Sequence, residues 1–245
     1  MWTYPKVVAH RGGGRLAPEN TLAAMQCGLD YGFHAVEFDV MLSKDGIPVL
    51  MHDPEFGRTV AGSGSVSNTL AHSLTEMDAD SWFDPRFSGV HVPTYEAVFQ
   101  FCQAHGIWMN VEIKPVPGFE HETGTIVARL TSEWMRRTNN TIAPLFSSFS
   151  FDALMCAKQS APDIARAYLL EDYDPDYLNA LHKLDAVALH TDHKKLTPEW
   201  ASAIKQAGYG LLCYTVNDLD RAKEIRGWGV DAICTDRIDL IPFES

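Results

Sequence analysis

The stretch LLCYTVNDLDRAKEIRGWGVDAICT, residues 211–235, decides the fold. Leu211–Thr215 is an apolar run of strand length, Asp218–Arg226 follows a helical period, and Ala232–Thr235 is a second short apolar run. Strand, helix and strand in so short a space predict a βαβ unit with parallel strands. Working outward, the same alternation recurs. Lys6–His10, Ala35–Met41, Trp108–Lys114, Leu145–Phe149, Arg166–Leu170 and Val187–His190 also read as strands. Helical segments follow most of them: Asn20–Tyr31 with Asn20 as N-cap, His121–Arg137, Phe151–Ser160, a segment near Pro175–Lys183, and Pro198–Ala207 ended by Gly208. Eight strands alternating with helices predict an α/β fold, a TIM (β/α)₈ barrel, and 245 residues suit one such domain over positions 1–245.

One stretch breaks the rhythm. Ile47 to His91 is too long for an ordinary βα loop, so a small insertion after the second strand, bounded at 54–92, is expected. It opens with a possible short strand, Val49-Leu-Met-His52, and turns at Gly62-Ser-Gly64. The segment is too polar for a core of its own, so Trp82, Phe83 and Phe87 are expected to pack over the barrel mouth and shape the pocket. The plainer alternative is a lid over exposed barrel surface.

Composition excludes several classes of function. With 20 Lys and Arg against 32 Asp and Glu, the net charge of -12 speaks against nucleic acid or an anionic membrane as partner. A small anionic substrate remains compatible, because a few placed cations override the global sign locally. No apolar run reaches the ~20 residues of a membrane span, and Met1–Lys6 does not read as a secretory signal. The five cysteines are scattered without a C-x-x-C pair. They read as reduced residues and point to the cytoplasm.

The chemistry gathers at strand ends, where barrel active sites form. Glu37 and Asp39 stand at i and i+2 on one strand, so both carboxylates share a face while Val36, Phe38 and Val40 turn to the helices. Glu112 and Lys114 repeat that spacing on the next strand. One such triplet is more often a solvated or salt-bridged pair of strand-end residues. Matched pieces on one barrel argue a site. Three carboxylates at one mouth repel unless a cation sits among them, and oxygen ligands suit Mg²⁺ or Ca²⁺. His10 ends the first strand beside Arg11, and His52 lies just past the Glu37/Asp39 strand. Two imidazoles can divide general acid and base work, with Arg11 and Lys114 as fixed charge for a phosphoryl group. His190 and His193 stay ambiguous; the other histidines read as packed or surface residues. Gly12-Gly-Gly14 matches no phosphate-binding loop and reads as backbone permitting close approach at a strand end.

These pieces resemble the glycerophosphodiester phosphodiesterase family, in particular its cytoplasmic bacterial members associated with glycerol-3-phosphate uptake. The matching segments are Ala9-His-Arg-Gly12, Ala17-Pro-Glu-Asn-Thr21, Glu37-Phe-Asp39, Leu50-Met-His-Asp53, Glu112-Ile-Lys114, Ser147-Ser-Phe149, Tyr214-Thr-Val-Asn217 and Gly229-Val-Asp-Ala-Ile-Cys-Thr-Asp236. They run in family order across essentially the whole chain. The resemblance implies metal-dependent hydrolysis of glycerophosphodiesters to sn-glycerol 3-phosphate and an alcohol. It makes His10 and His52 the acid/base pair, and Glu37, Asp39 and Glu112 the ligands of a divalent cation, Mg²⁺ before Ca²⁺. It gives Arg11 and Lys114 to phosphate, and Phe149 and Tyr214 to the substrate. Tyr214 departs from the tryptophan of many relatives. A vicinal substrate hydroxyl is expected to attack phosphorus before water does. The implied partners are small glycerophosphodiesters, with no nucleic acid and no stable membrane association. Two alternatives stand beside this reading: a lyase-type relative that releases a cyclic phosphate, and a non-catalytic barrel that binds phosphodiesters.

Overall fold

Strands buried on both faces need one layer of cover outside and another within. The computed structural model, which describes residues 2–138 and 142–243, supplies both; residues 1, 139–141 and 244–245 of the expected domain lie outside the described residues. The strands are β1 (Val7–Ala9), β2 (Ala35–Leu42), β3 (Pro48–Leu50), β4 (Trp108–Ile113), β5 (Leu145–Ser148), β6 (Ala165–Leu170), β7 (Ala188–Asp192), β8 (Gly210–Tyr214) and β9 (Ala232–Thr235). The helices are α1 (Leu22–Asp30), α2 (Ala71–Leu74), α3 (Tyr95–Ala104), α4 (Glu120–Arg137), α5 (Phe151–Ser160), α6 (Tyr177–Leu184), α7 (Pro198–Gln206) and α8 (Leu219–Gly227). All strands but β3 pair in parallel, in the order β1-β9-β8-β7-β6-β5-β4-β2. A parallel pairing of Ala9 with Val36 joins β1 to β2 and closes the ring. The fold is a TIM barrel.

Period-2 alternation sorts the strand residues between two cores. Phe38, Val111, Phe146, Leu189 and Leu211 point outward against Tyr95, Phe99, Leu154, Leu181 and Ile204 of the helices. Val8, Ala35, Leu145, Ala167, Ala188 and Leu212 point inward. Three of these six are alanines, which leaves interior space for a site. At the other end Trp2 meets Tyr4 edge-on and Tyr4 tilts against Trp108, with centroids 5.1 and 5.3 Å apart, and the three plug the barrel. Among the described residues no helix is long and apolar enough to cross a membrane.

Helix starts follow local capping chemistry. Thr94, Ser150, Thr197 and Asp218 each accept a hydrogen bond from the backbone N–H three residues on. At α1 the expected cap is displaced by one position. Thr21 Oγ1 accepts from Ala24 N at 3.1 Å, while Asn20 takes a left-handed backbone, φ 58°. The amide of Asn20 is engaged elsewhere, on Asp39, and is not available to the helix.

The stretch between β2 and α3 corrects a second expectation. β3 pairs antiparallel with β2, and the chain beyond it forms a 3-10 turn at Val66–Asn68, α2, and another 3-10 turn at Pro85–Phe87. It does bury a core, in which Val60, Val66, Leu74, Ala79 and Val92 pack on Met41, Val49 and Met51. Trp82, Phe83 and Phe87 stand outside that core in an edge-to-face chain with centroids 5.3 and 5.5 Å apart. Phe87 borders a groove with Ala23 and Cys27 of α1, and none of the three lines the cavity at the barrel mouth. A polar average over the segment concealed apolar residues that are far apart in sequence and adjacent in space.

Gly124 of α4 sits where an added Cβ would lie 2.2 Å from the backbone oxygen of Ala153 in α5. Gly124→Ala gains up to ~1 kcal/mol of helix propensity but forces two helices apart, at a cost of ~1–3 kcal/mol or more. Its melting temperature is expected to fall by several degrees, at ~2–4 °C per kcal/mol for this size. Gly227→Ala in α8, with nothing within 4 Å of the new carbon, should melt at or above the wild-type temperature. Equal shifts in calorimetry would show that helix contact is not what selects glycine at position 124.

Candidate active site

β2 directs Glu37 and Asp39 inward, and the parallel register sets Glu112 of β4 beside Asp39. One oxygen from each of Glu37, Asp39 and Glu112 lies within 4.8 Å of the others. Asp39 is 1% exposed and Glu37 5%. Asp39 accepts from Asn20 Nδ2 at 2.8 Å and Lys114 Nζ at 3.0 Å, and Arg11 Nε approaches to 3.6 Å. Its backbone N–H donates to Asn20 Oδ1, so one amide holds both ends of the residue. Glu37 Oε2 accepts the backbone N–H of Arg11 at 3.1 Å. That contact holds Arg11 in a left-handed conformation, φ 51°, a strained state for a side chain of this size. Lys114 also lies 3.6 Å from Glu112.

The charges do not balance. Burial works against the ionised Asp39, but Lys114, Arg11, His52 and the Asn20 amide outweigh it and hold that carboxyl well below the usual range. Burial, with Asp39 and Glu112 as like charges, pushes Glu37 well above it. Burial and Asp39 push Glu112 up to about 7. Arg11 and Lys114 thus converge on Asp39, with Lys114 shared with Glu112, so two cations face three carboxylates. Glu112 Oε1 is moreover buried without a hydrogen-bond partner. Three converging oxygens short of positive charge fit a hard divalent cation such as Mg²⁺ or Ca²⁺.

Both predicted histidines line the same cavity, and each carries an aspartate on its Nδ1. His10 Nδ1 lies 2.6 Å from Asp236 Oδ1, and its Nε2 lies 3.8 Å from Glu37. Burial would raise Asp236, but its bond to His10 and the amide of Asn217 hold it at about 2. His52 Nδ1 lies 2.6 Å from Asp53 Oδ1. Burial, with Lys114 and Arg11 nearby, lowers His52 against the pull of Asp39. Asp53 accepts from Arg58, Arg58 forks onto Glu19, and Glu19 accepts from Arg11 at 2.7 Å. One network therefore joins His52 to Arg11. Sequence reasoning gave Asn20 only the capping of α1 and gave Glu19, Asp53, Asn217 and Asp236 no role, although all five lie within the motifs that carry the family resemblance. Arg58 carried no signal.

Phe149 and Tyr214 form one wall, with ring centroids 5.9 Å apart and the Tyr214 hydroxyl donating to Leu170 O at 3.2 Å. The ambiguous His190 proves fully buried on the cavity side, whereas His193 stands apart, on Arg221. The glycine run permits the close approach expected of it: a Cβ on Gly14, φ 55°, would meet the backbone oxygen of Asp236 at 2.2 Å.

This chain matches the glycerophosphoryl diester phosphodiesterase family over residues 10–240. It is 30% identical to a glycerophosphodiester phosphodiesterase of Caldanaerobacter subterraneus subsp. tengcongensis, over 94% of this chain and 93% of the relative. A phosphodiesterase of Oleispira antarctica, solved in complex with the product sn-glycerol-3-phosphate, superposes with a TM-score of 0.89. The two are 36% identical, over 95% of this chain and 93% of that one. A glycerophosphodiester phosphodiesterase of Agrobacterium tumefaciens is 29% identical over 97% and 98% of the two chains, with a TM-score of 0.76.

Two measurements follow from the geometry. Asp236→Asn leaves His10 without its charged partner and is expected to lower kcat by about 10²-fold or more, within the range of acid–base effects. Wild-type activity in a folded variant would show that Asp236 only ties the loops together. The raised Glu37 and Glu112 make a second test. A carboxyl whose pKa is raised in the folded state stabilises below its unfolded value and loses that contribution as pH rises through the folded value. For Glu112 the window runs from its ordinary value of 4.5 to about 7. Stabilisation by added Mg²⁺ should therefore grow from pH 5 to pH 8, as the cation displaces protons that would otherwise remain. A melting-temperature gain independent of pH would contradict the charge imbalance.

Proposed function

The chain belongs to the glycerophosphoryl diester phosphodiesterase family and is a phosphodiesterase; from that premise we propose that it hydrolyses glycerophosphodiesters to sn-glycerol 3-phosphate and an alcohol, with a divalent cation and two histidines. The observation that carries this reading is the convergence of Glu37, Asp39 and Glu112 with His10 and His52 on one cavity. The complex of the Oleispira antarctica enzyme with sn-glycerol-3-phosphate supports the choice of substrate.

Glu37, Asp39 and Glu112 would hold the cation, and their hard carboxylate oxygens suit Mg²⁺. Bound there, it supplies Lewis-acid charge to the hydroxyl and phosphoryl oxygens. Arg11 and Lys114 neutralise the charge that grows on the non-bridging oxygens. With Nδ1 engaged by its aspartate, each histidine offers Nε2 to the substrate. One accepts the proton of the vicinal glycerol hydroxyl as that oxygen attacks phosphorus. The other gives a proton to the departing alcohol as its P–O bond breaks. Tethering of the hydroxyl contributes the effective molarity of an intramolecular step. Water then opens the five-membered cyclic phosphate, with the histidines in exchanged roles. The paired aspartates favour turnover over mere binding, since a binding site needs no oriented acid and base. Phe149 and Tyr214 form an aromatic wall for the substrate.

A net charge of -12 opposes stable attachment to an anionic bilayer. The five cysteines are unpaired, which supports a reducing compartment, the cytoplasm.

Phosphorus NMR tests the proposal directly. Glycerophosphocholine with Mg²⁺ should yield sn-glycerol 3-phosphate, and chelator-dialysed protein or Glu37→Gln should yield almost none while remaining folded. A 2-deoxy analogue should lose orders of magnitude in kcat, because the loss falls on the chemical step. Comparable kcat for that analogue would assign the first attack to water. Accumulation of the cyclic phosphate as final product would favour the lyase alternative.

A further inference from the structure

Beside and below Glu112 the cavity changes character. Asn110 sits two residues below Glu112 on β4, Ser147 of β5 stands level with Glu112, and His190 of β7 is flanked by Leu169 and Leu212. All three line the cavity, and they are 3%, 0% and 0% exposed. None of Asn110 Oδ1, Ser147 Oγ, His190 Nδ1 and His190 Nε2 has a hydrogen-bond partner. Buried polar atoms are nearly always satisfied, so four orphans facing one space call for a ligand that satisfies them. The whole cavity, with the carboxylates and histidines included, is about 160 Å³, more than the ~10–15 Å³ that one water requires.

The chemistry of this lower tier selects the ligand. Burial drives His190 down to about 3, so its ring is neutral and offers one donor and one acceptor. Asn110 and Ser147 likewise carry both kinds of group. Arg11 and Lys114, the cations that line the cavity, belong to the upper tier and pair there with Asp39. A phosphate is therefore drawn upward and a neutral hydroxyl is accommodated below. Trp2 packs edge-on beneath His190, ring centroids 6.3 Å apart, and closes the floor toward the barrel plug.

We propose that Asn110, Ser147 and His190 form a hydroxyl-reading floor that binds the terminal hydroxyl of the substrate's glycerol half and so selects glycerol over other alcohols. The inference rests on the function proposed above and adds the residues that recognise the polyol. A hydroxyl donates and accepts at once, as the floor requires. An alkyl group in its place leaves the floor unpaired, which is how a buried polar site rejects an analogue lacking one hydroxyl.

The test compares glycerophosphocholine with 2-hydroxypropyl phosphocholine, which keeps the vicinal hydroxyl and lacks only the terminal one. Calorimetry on Mg²⁺-loaded protein compares sn-glycerol 3-phosphate with 2-hydroxypropyl phosphate, independently of turnover. Wild type is expected to favour the glycerol compound in both by roughly 10- to 100-fold, the effect of leaving buried polar groups unpaired. In His190→Leu the two ratios should fall toward one. Ser147→Ala, the smaller change, should lower them in the same direction should the leucine variant misfold. Unchanged ratios in a folded variant, or a wild type indifferent to the terminal hydroxyl, would overturn the floor and leave the phosphodiesterase reading intact. A crystal complex with only ordered waters on the three side chains would also overturn it. Failure of wild type to cleave either diester would instead overturn the function on which the inference rests.

Discussion

The requirement to keep Asp39 ionised inside the barrel organises the rest of the site. A carboxylate 1% exposed survives as an anion only when donors and cations surround it. Asn20, Lys114 and Arg11 do so, the first and last at some conformational cost. Asn20 leaves the capping of α1 to Thr21, and Arg11 takes a left-handed backbone. With Arg11 shared between Asp39 and Glu19, and Lys114 between Asp39 and Glu112, Glu37 and Glu112 remain short of positive charge. The mouth of the barrel is in this sense an incomplete electrostatic assembly, which a divalent cation would complete.

The second organising element is the chain between β2 and α3. Its buried residues on Met41, Val49 and Met51 give it a fixed seat beside the barrel. From that seat it delivers His52 with Asp53, while Arg58 returns to Glu19 and so to Arg11. A catalytic loop that carries its own small core holds its side chains more firmly than a loop anchored only at its ends. The aromatic residues that look most conspicuous in the sequence of this segment pack on one another outside the cavity, with Phe87 beside α1.

The cavity is graded from charged at the rim to neutral at the floor, and alternation along the strands produces the gradient. Inward residues two apart on β4, Glu112 and Asn110, differ in charge, and β7 contributes His190 where its neighbours contribute leucines. Such a gradient orients a ligand that is anionic at one end and neutral at the other.

The barrel and the inward set Glu37, Asp39 and Glu112 were legible in the sequence, because strand alternation is a local property with a period of two. The pairing of carboxylates with histidines in one cavity followed from their positions at strand ends, although no single motif required it. What folding alone decided are contacts between distant residues. Asp236 meets His10 across 226 positions, and Asn20 reaches Asp39 across 19. Arg58 joined the site with no motif to mark it, and His190 became a buried, unpaired ring and not a surface residue. Trp82, Phe83 and Phe87 were misplaced for the same reason. Periodicity states which face of an element a side chain occupies, whereas closure of the ring and the path of the long β2–α3 segment determine what that face meets.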